Sequence, residues 1–109
     1  MKYILLLIIT LLPSHLWAAD DTKIEQNCSA YSHLRTTLNA LQAQNSCKKI
    51  KDRYALACVK IAITYTKKEA PDKLIQSCGK INTGEKLKCV VNKAITAKSN
   101  HVKKINACS

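Results

Sequence analysis

With 109 residues, the chain is long enough for one domain. It has two glycines, two prolines and no long alternation of apolar with polar residues, so we do not expect a β-rich fold. Its 18 lysines and arginines outnumber its 7 acidic residues, and the net charge of +11 favours anionic partners.

The N-terminus has the order of a secretory signal peptide. Lys2 provides a positive start, residues 4–12 form an apolar run, and small residues follow at Ala18 and Ala19. A bilayer-spanning helix needs about twenty apolar residues, which this run does not provide. We therefore predict a signal peptide over residues 1–18, cleaved after Ala18 or Ala19, with an uncleaved anchor as the alternative. The mature domain would be secreted or periplasmic, with no transmembrane segment.

An even number of cysteines in an exported chain predicts three disulfides. The six are Cys28, Cys47, Cys58, Cys78, Cys89 and Cys108. Taken alternately, they recur every 30 or 31 residues. Three short motifs share this period, the last of them shifted by one residue: Ser46-Cys47-x-x-Ile50 returns at 77–81, Leu56-x-Cys58-Val59 at 87–90, and Ala62-Ile63-Thr64 at 94–96.

A fixed period of this length is typical of stacked supersecondary units. We predict an all-α, disulfide-stapled single domain over residues 20–109, built from three tandem helical-hairpin (αα) repeats of about 31 residues. The units would cover approximately residues 20–50, 51–81 and 82–109.

The first unit keeps helical spacing without an obvious breaker, so we expect one apolar stripe: Ile24, Cys28, Tyr31, Leu34, Leu38 and Leu41. The second unit has two apolar helix faces, so we predict that its helix is central. One face consists of Tyr54, Cys58, Ile61 and Tyr65, and the other consists of Leu56, Val59 and Ile63. Pro71 would open its second helix and Gly79 would stop it. In the third unit Thr83 is a candidate N-cap, and a break is expected near Ser99-Asn100.

The lengths of the helical legs favour one bridge in each unit. Nine residues lead from Cys58 to Lys67 and seven lead from Pro71 to Cys78. These legs rise by about 13 and 10 Å, so the two sulfurs return to a similar height. Six cysteines allow fifteen pairings. Among them we favour Cys28–Cys47, Cys58–Cys78 and Cys89–Cys108.

Positive charge is concentrated after residue 46. Residues 19–46 carry 2 basic and 3 acidic residues, whereas residues 47–109 carry 15 basic and 4 acidic residues. The densest group, Lys48, Lys49, Lys51 and Arg53, is the candidate anion-binding site. Lysine predominates over arginine, which favours diffuse attraction over bidentate recognition of bases. We therefore do not expect sequence-specific nucleic-acid binding.

No catalytic, cofactor or metal motif stands out in the sequence. The mature chain has two isolated histidines, His33 and His101, and no Cys-x-x-Cys pair. We expect a binding protein rather than an enzyme, without cofactor or metal, whose partner is an acidic protein or an anionic component of the cell envelope. A membrane-active or lipid-binding protein is the alternative. The sequence does not define the partner further, nor the oligomeric state.

Overall fold

The computed structural model describes residues 21–66 and 69–109. The predicted signal peptide and its cleavage site lie outside these residues. The described part is all-helical, as predicted, and contains six α-helices and three disulfides. The helices are α1 (Asp21–Arg35), α2 (Ala40–Ser46), α3 (Arg53–Tyr65), α4 (Pro71–Ser77), α5 (Gly84–Cys89) and α6 (His101–Cys108).

A turn at residues 36–39 separates α1 from α2. Thr36 ends α1, donating both its N–H and its hydroxyl to the carbonyl of Ser32, at 3.0 and 2.6 Å. Asn39 then begins α2 with a reciprocal capping box. Its side chain accepts from the Gln42 N–H at 2.8 Å, and the Gln42 side chain accepts from the Asn39 N–H at 2.9 Å.

The continuous apolar stripe expected in the first unit is therefore wrong. Leu34 is 80% exposed and Leu41 is 66% exposed, because the chain changes direction between them. Cys28 is fully buried, and Ile24, Tyr31 and Leu38 pack against the core from partly buried positions.

Helix α3 is central, because it contacts α1, α4 and α5. Asp52 caps its N-terminus by accepting from the N–H groups of Tyr54 and Ala55, at 2.8 and 2.9 Å. Its buried residues are Ala55, Cys58, Val59, Ala62 and Ile63. The prediction that Tyr65 extends the buried face is wrong, since this last helical residue is 67% exposed.

Helix α4 begins at Pro71, as predicted, but Gly79 does not end it as a left-handed residue. The helix ends at Ser77 and passes into a 3-10 turn over Cys78–Lys80, and neither glycine of the chain has a positive φ. A Cβ atom at Gly79 would lie 3.1 Å from the Cβ of Lys49, which belongs to the matching 3-10 turn Cys47–Lys49. Glycine at this position therefore lets the two turns approach closely.

Thr83 caps α5, as predicted, by accepting from the Lys86 N–H at 3.2 Å. The helix then widens into a π turn over Val90–Ala94, which the Ile95 N–H closes on the Val90 carbonyl at 3.0 Å. Such a turn accommodates one more residue than an α-helical turn. Both Val90 and Ala94 are fully buried.

Three disulfides join each long helical segment to the chain that returns beside it. They link Cys28 to Cys47, Cys58 to Cys78, and Cys89 to Cys108, with Cα–Cα distances of 5.8, 5.6 and 5.7 Å. These are the three pairs that the leg lengths favoured. Of the helices in residues 21–66 and 69–109, none is long and apolar enough to cross a membrane.

Candidate functional site

The candidate anion-binding residues begin in the 3-10 turn after α2. Cys47 and Ile50 are fully buried, and the Ile50 N–H donates to the Cys47 carbonyl at 3.0 Å. These two anchors hold the turn against the core. Lys48, Lys49 and Lys51 flank them and are all exposed. Three exposed lysines thus lie next to the two buried anchors along this turn.

Arg53 is exposed at the first position of α3 and lies over the ring of Tyr54. Its guanidinium carbon is 5.0 Å from the ring centroid, and its Nη2 donates to the Tyr54 hydroxyl at 2.9 Å. Tyr54 in turn lies near the start of α5, since a Cβ atom on Gly84 would be 3.7 Å from its Cε1. The ring that holds Arg53 therefore lies beside the start of α5.

Asp52 is the acidic residue among these cations, but it is occupied by the α3 N-terminus. Its Oδ1 accepts the first free N–H groups of the helix. A carboxylate at this position interacts favourably with the positive end of the helix dipole. Asp52 therefore pairs with the helix N-terminus rather than with the neighbouring lysines. The cations on both sides of Asp52 therefore remain exposed to solvent.

Lys80 joins this surface, although the sequence analysis missed it. It is exposed in the second 3-10 turn, which touches the first through Gly79 and Lys49. The missed signal was the period itself, because Lys80 follows Lys49 by 31 residues. We call the combined surface the basic edge, and it consists of Lys48, Lys49, Lys51, Arg53 and Lys80.

The basic edge is extended rather than a single pocket. At one end Lys48 lines a shallow groove with Glu25 and Gln26 of α1. At the other end Arg53 is held over Tyr54, as described above. The four predicted residues thus run from this groove through the first 3-10 turn to the start of α3, and Lys80 lies in the second 3-10 turn, which touches the first at Lys49.

A second polar cluster joins the segment before α4 to the start of α6. Glu69 accepts from the N–H groups of His101 and Val102 at 2.9 and 3.3 Å, and its Oε2 lies 2.5 Å from His101 Nδ1. His101 Nε2 lies 2.8 Å from the Ala97 carbonyl. Asn100, in a left-handed conformation, makes no side-chain cap, so Glu69 caps α6 from a distant part of the chain.

This cluster holds the start of α6 against the segment before α4. His101 is 7% exposed, and each of its ring nitrogens lies within hydrogen-bonding distance of an oxygen, Glu69 Oε2 on one side and the Ala97 carbonyl on the other. His33 is exposed, and its Nδ1 lies 3.0 Å from the Leu38 carbonyl.

A small cleft opens where the ends of α1 and α3 meet the start of α4. It encloses about 230 Å³, with Ile63 and Leu74 in its apolar floor and Arg35 among the residues around it. Small-molecule sites usually enclose roughly 300–1,000 Å³, so this cleft is below their usual size. No group of three histidine, cysteine or acidic residues in the described ranges could hold a metal ion.

Comparison with known proteins gave no match: no family model, no curated protein and no solved structure resembles the chain at a significant level.

Proposed function

We propose that the chain is an exported binding protein in which three disulfide-stapled helical-hairpin units present the basic edge to an anionic partner. The partner is an acidic protein or an anionic component of the cell envelope. One observation carries the proposal: five cations are exposed in the two adjoining 3-10 turns and at the start of α3, and Asp52, the acidic residue between Lys51 and Arg53, caps a helix.

Matching local structures support the repeat architecture. The N-caps Asp52 and Thr83 are 31 residues apart, and each is preceded by a 3-10 turn. In both turns the isoleucine that follows is fully buried and donates its N–H to the cysteine carbonyl at 3.0 Å. The three bridges also close loops of similar length, with separations of 19, 20 and 19 residues. Units at about 20–50, 51–81 and 82–109 would share the bridge, and the turn followed by a helix cap would mark each of the two boundaries between units.

The disulfides and the N-terminal sequence support export. Three intramolecular bridges are compatible with an oxidising compartment, whereas the cytosol keeps thiols reduced. The apolar run at residues 4–12 supports a signal peptide and therefore a periplasmic or secreted mature domain.

Lysine chemistry favours a partner that displays several negative charges. A lysine ammonium is a compact, strongly hydrated point charge on a flexible stem, so each contact is weak and tolerant of geometry. A row of such charges attracts a polyanionic surface and accelerates encounter with it. Arg53, whose guanidinium is fixed over Tyr54, is the better ordered contact point on the edge.

Titration of the oxidised mature domain tests the proposal. The probes are anionic vesicles, lipopolysaccharide, duplex DNA and an acidic protein, each at low and at roughly physiological salt. We expect one probe to remain bound at the higher salt. Weak binding to every probe that disappears with salt, as counterion release predicts, would contradict the proposal. Leakage from the vesicles would instead favour the membrane-active alternative.

A charge-matched pair of variants separates the basic edge from net charge. The edge variant is Lys49→Glu/Lys51→Glu/Lys80→Glu. The control, Lys93→Glu/Lys98→Glu/Lys103→Glu, changes the net charge equally at exposed lysines outside the edge. We expect only the edge variant to lose binding, by at least about tenfold. Equal losses in both variants would mean that net charge alone attracts the probe.

A further inference from the structure

The three disulfides differ in their access to solvent. Cys28, Cys47, Cys58 and Cys78 are all fully buried. Cys108 is 8% exposed and its partner Cys89 is only partly buried. Thiol–disulfide exchange requires a thiolate to reach a sulfur, so access favours reaction at the third bridge.

The surroundings of the third bridge are positively charged. Cys89 and Cys108 line an open groove of about 320 Å³ together with Lys93, Lys104 and Ala107. Both lysines are exposed, and no acidic residue lines the groove. Neighbouring ammonium groups favour a thiolate over a thiol and attract an anionic reagent.

We propose that Cys89–Cys108 is a thiol-exchange site that accepts a low-molecular-weight thiol bearing negative charge, of which glutathione is the practical probe. The thiolate of the reagent attacks Sγ of Cys89, the more accessible cysteine. A new sulfur–sulfur bond forms to Cys89 while the bond to Cys108 breaks. Cys108 leaves as a thiolate in the groove that Lys104 also lines, where a neighbouring ammonium group favours the charged form. One disulfide is consumed and one is formed, so no external oxidant is needed.

The rest of α6 remains held after this exchange. Its N-terminus is capped by Glu69, and Ile105 is fully buried in the core. The bridge fastens the other end of the helix, at Cys108. Opening it therefore frees the C-terminal end of α6 while the first two units keep their bridges. The thiolated protein is expected to be folded. Attack of the Cys108 thiolate on Sγ of Cys89 re-forms the bridge and releases the reagent, whereas attack by a second reagent thiolate releases the reagent's own disulfide and leaves both cysteines reduced.

Site-resolved exchange tests the proposal directly. The oxidised mature protein is incubated with glutathione, quenched with an alkylating agent, and analysed by peptide mass spectrometry. We expect thiolated Cys89 and alkylated Cys108 to appear at least about tenfold faster than modification of the other four cysteines. Equal or faster reaction at either of the other bridges would overturn the proposal.

A charge-reversal variant tests the role of the two lysines. In Lys93→Glu/Lys104→Glu we expect the ratio of exchange rates with glutathione and with cationic cysteamine to fall by about tenfold. The matched control Lys98→Glu/Lys103→Glu changes exposed lysines that do not line the groove, and it should keep the wild-type ratio. An unchanged ratio in the first variant, or an equal fall in both, would overturn the preference for an anionic thiol. Circular dichroism verifies that both variants are folded.

Discussion

The segments that follow Asp52 and Thr83 begin alike and then diverge by one residue. In the first, Val59 and Ala62 are three residues apart within the uninterrupted helix α3. In the second, the corresponding Val90 and Ala94 are four residues apart and delimit a π turn. All four side chains are nevertheless fully buried.

The comparison teaches that the buried face is kept while the hydrogen-bonding pattern changes. One extra residue in an α-helix would rotate the following side chains by about 100° away from the core. The π turn absorbs that residue, and Ala94 returns to the buried side. The same stretch contains Val91, which is 40% exposed, and follows the partly buried Cys89. The segment after Thr83 therefore reproduces the segment after Asp52 with a less covered surface.

Removing the disulfide of either segment should cause the largest loss of stability. The loops closed by Cys58–Cys78 and Cys89–Cys108 span 20 and 19 residues, so loop entropy contributes about 3 kcal/mol in each. Cys58 and Cys78 are also fully buried, and alanine there leaves a small cavity. We expect Cys58→Ala/Cys78→Ala to cost roughly 4 kcal/mol and Cys89→Ala/Cys108→Ala less, measured by urea unfolding. A larger loss from the third bridge would contradict the difference in burial.

Single-residue deletions test the π turn itself. Deleting Asn92, an exposed residue in the turn, reduces the separation of Val90 and Ala94 to three positions, the same as between Val59 and Ala62. This separation allows a regular α-helix. We expect the free energy of unfolding to change by no more than about 1 kcal/mol. Deleting Lys60 from α3 rotates Ala62 and Ile63 out of the core and should cost about 3 kcal/mol. Equal losses of stability from the two deletions would show that the π turn does not accommodate one inserted residue.

The helix caps offer a further comparison, because α2 is capped locally and α6 from a distance. Glu69→Ala removes two N–H contacts and leaves the buried His101 ring without its carboxylate partner. We expect a loss of about 2 kcal/mol. Asn39→Ala removes one local cap at an exposed position and should cost about 1 kcal/mol. Thermal unfolding of both variants measures the two losses of stability. A smaller loss for Glu69→Ala than for Asn39→Ala would contradict the expected order.

The two glycines should give the smallest effects, with opposite signs. Alanine at Gly79 places a Cβ atom 3.1 Å from that of Lys49 and forces the two 3-10 turns apart slightly. Alanine at Gly84, the first residue of α5, meets only an ordinary 3.7 Å contact with Tyr54. We expect Gly79→Ala to destabilise by up to about 1 kcal/mol and Gly84→Ala to stabilise by about 0.5 kcal/mol. If both variants shift the unfolding midpoint in the same direction, the close approach of the turns would be contradicted.

Much of the local structure could be predicted from the sequence, because its signals are local. Cysteine spacing and apolar periodicity predict the all-helical class, Pro71 marks the start of α4, and Thr83 marks the cap of α5. The burial of Leu34 and Leu41 was predicted wrongly, since it depends on where the chain turns. The capping box at Asn39, with Gln42 three residues later, was the available signal for that turn.

The candidate site was less predictable, because tertiary contacts assemble it. Lys80 reaches the basic edge only through the approach of two turns that lie 31 residues apart. The pairing of Glu69 with His101 spans 32 residues and has no periodic signature. The repeat period was an available signal for Lys80, but no such signal marks the contact between Glu69 and His101, which depends on how the helices pack against one another.

The location of binding is tested most directly by mapping backbone amide shifts of the ¹⁵N-labelled, oxidised mature domain during titration with polyglutamate. The proposed function predicts that the largest changes occur at residues 48–53 and 79–81, where the basic edge lies, and that they persist at physiological salt. Changes centred on Lys93 and Lys104, or spread evenly over all lysine-bearing segments, would contradict it.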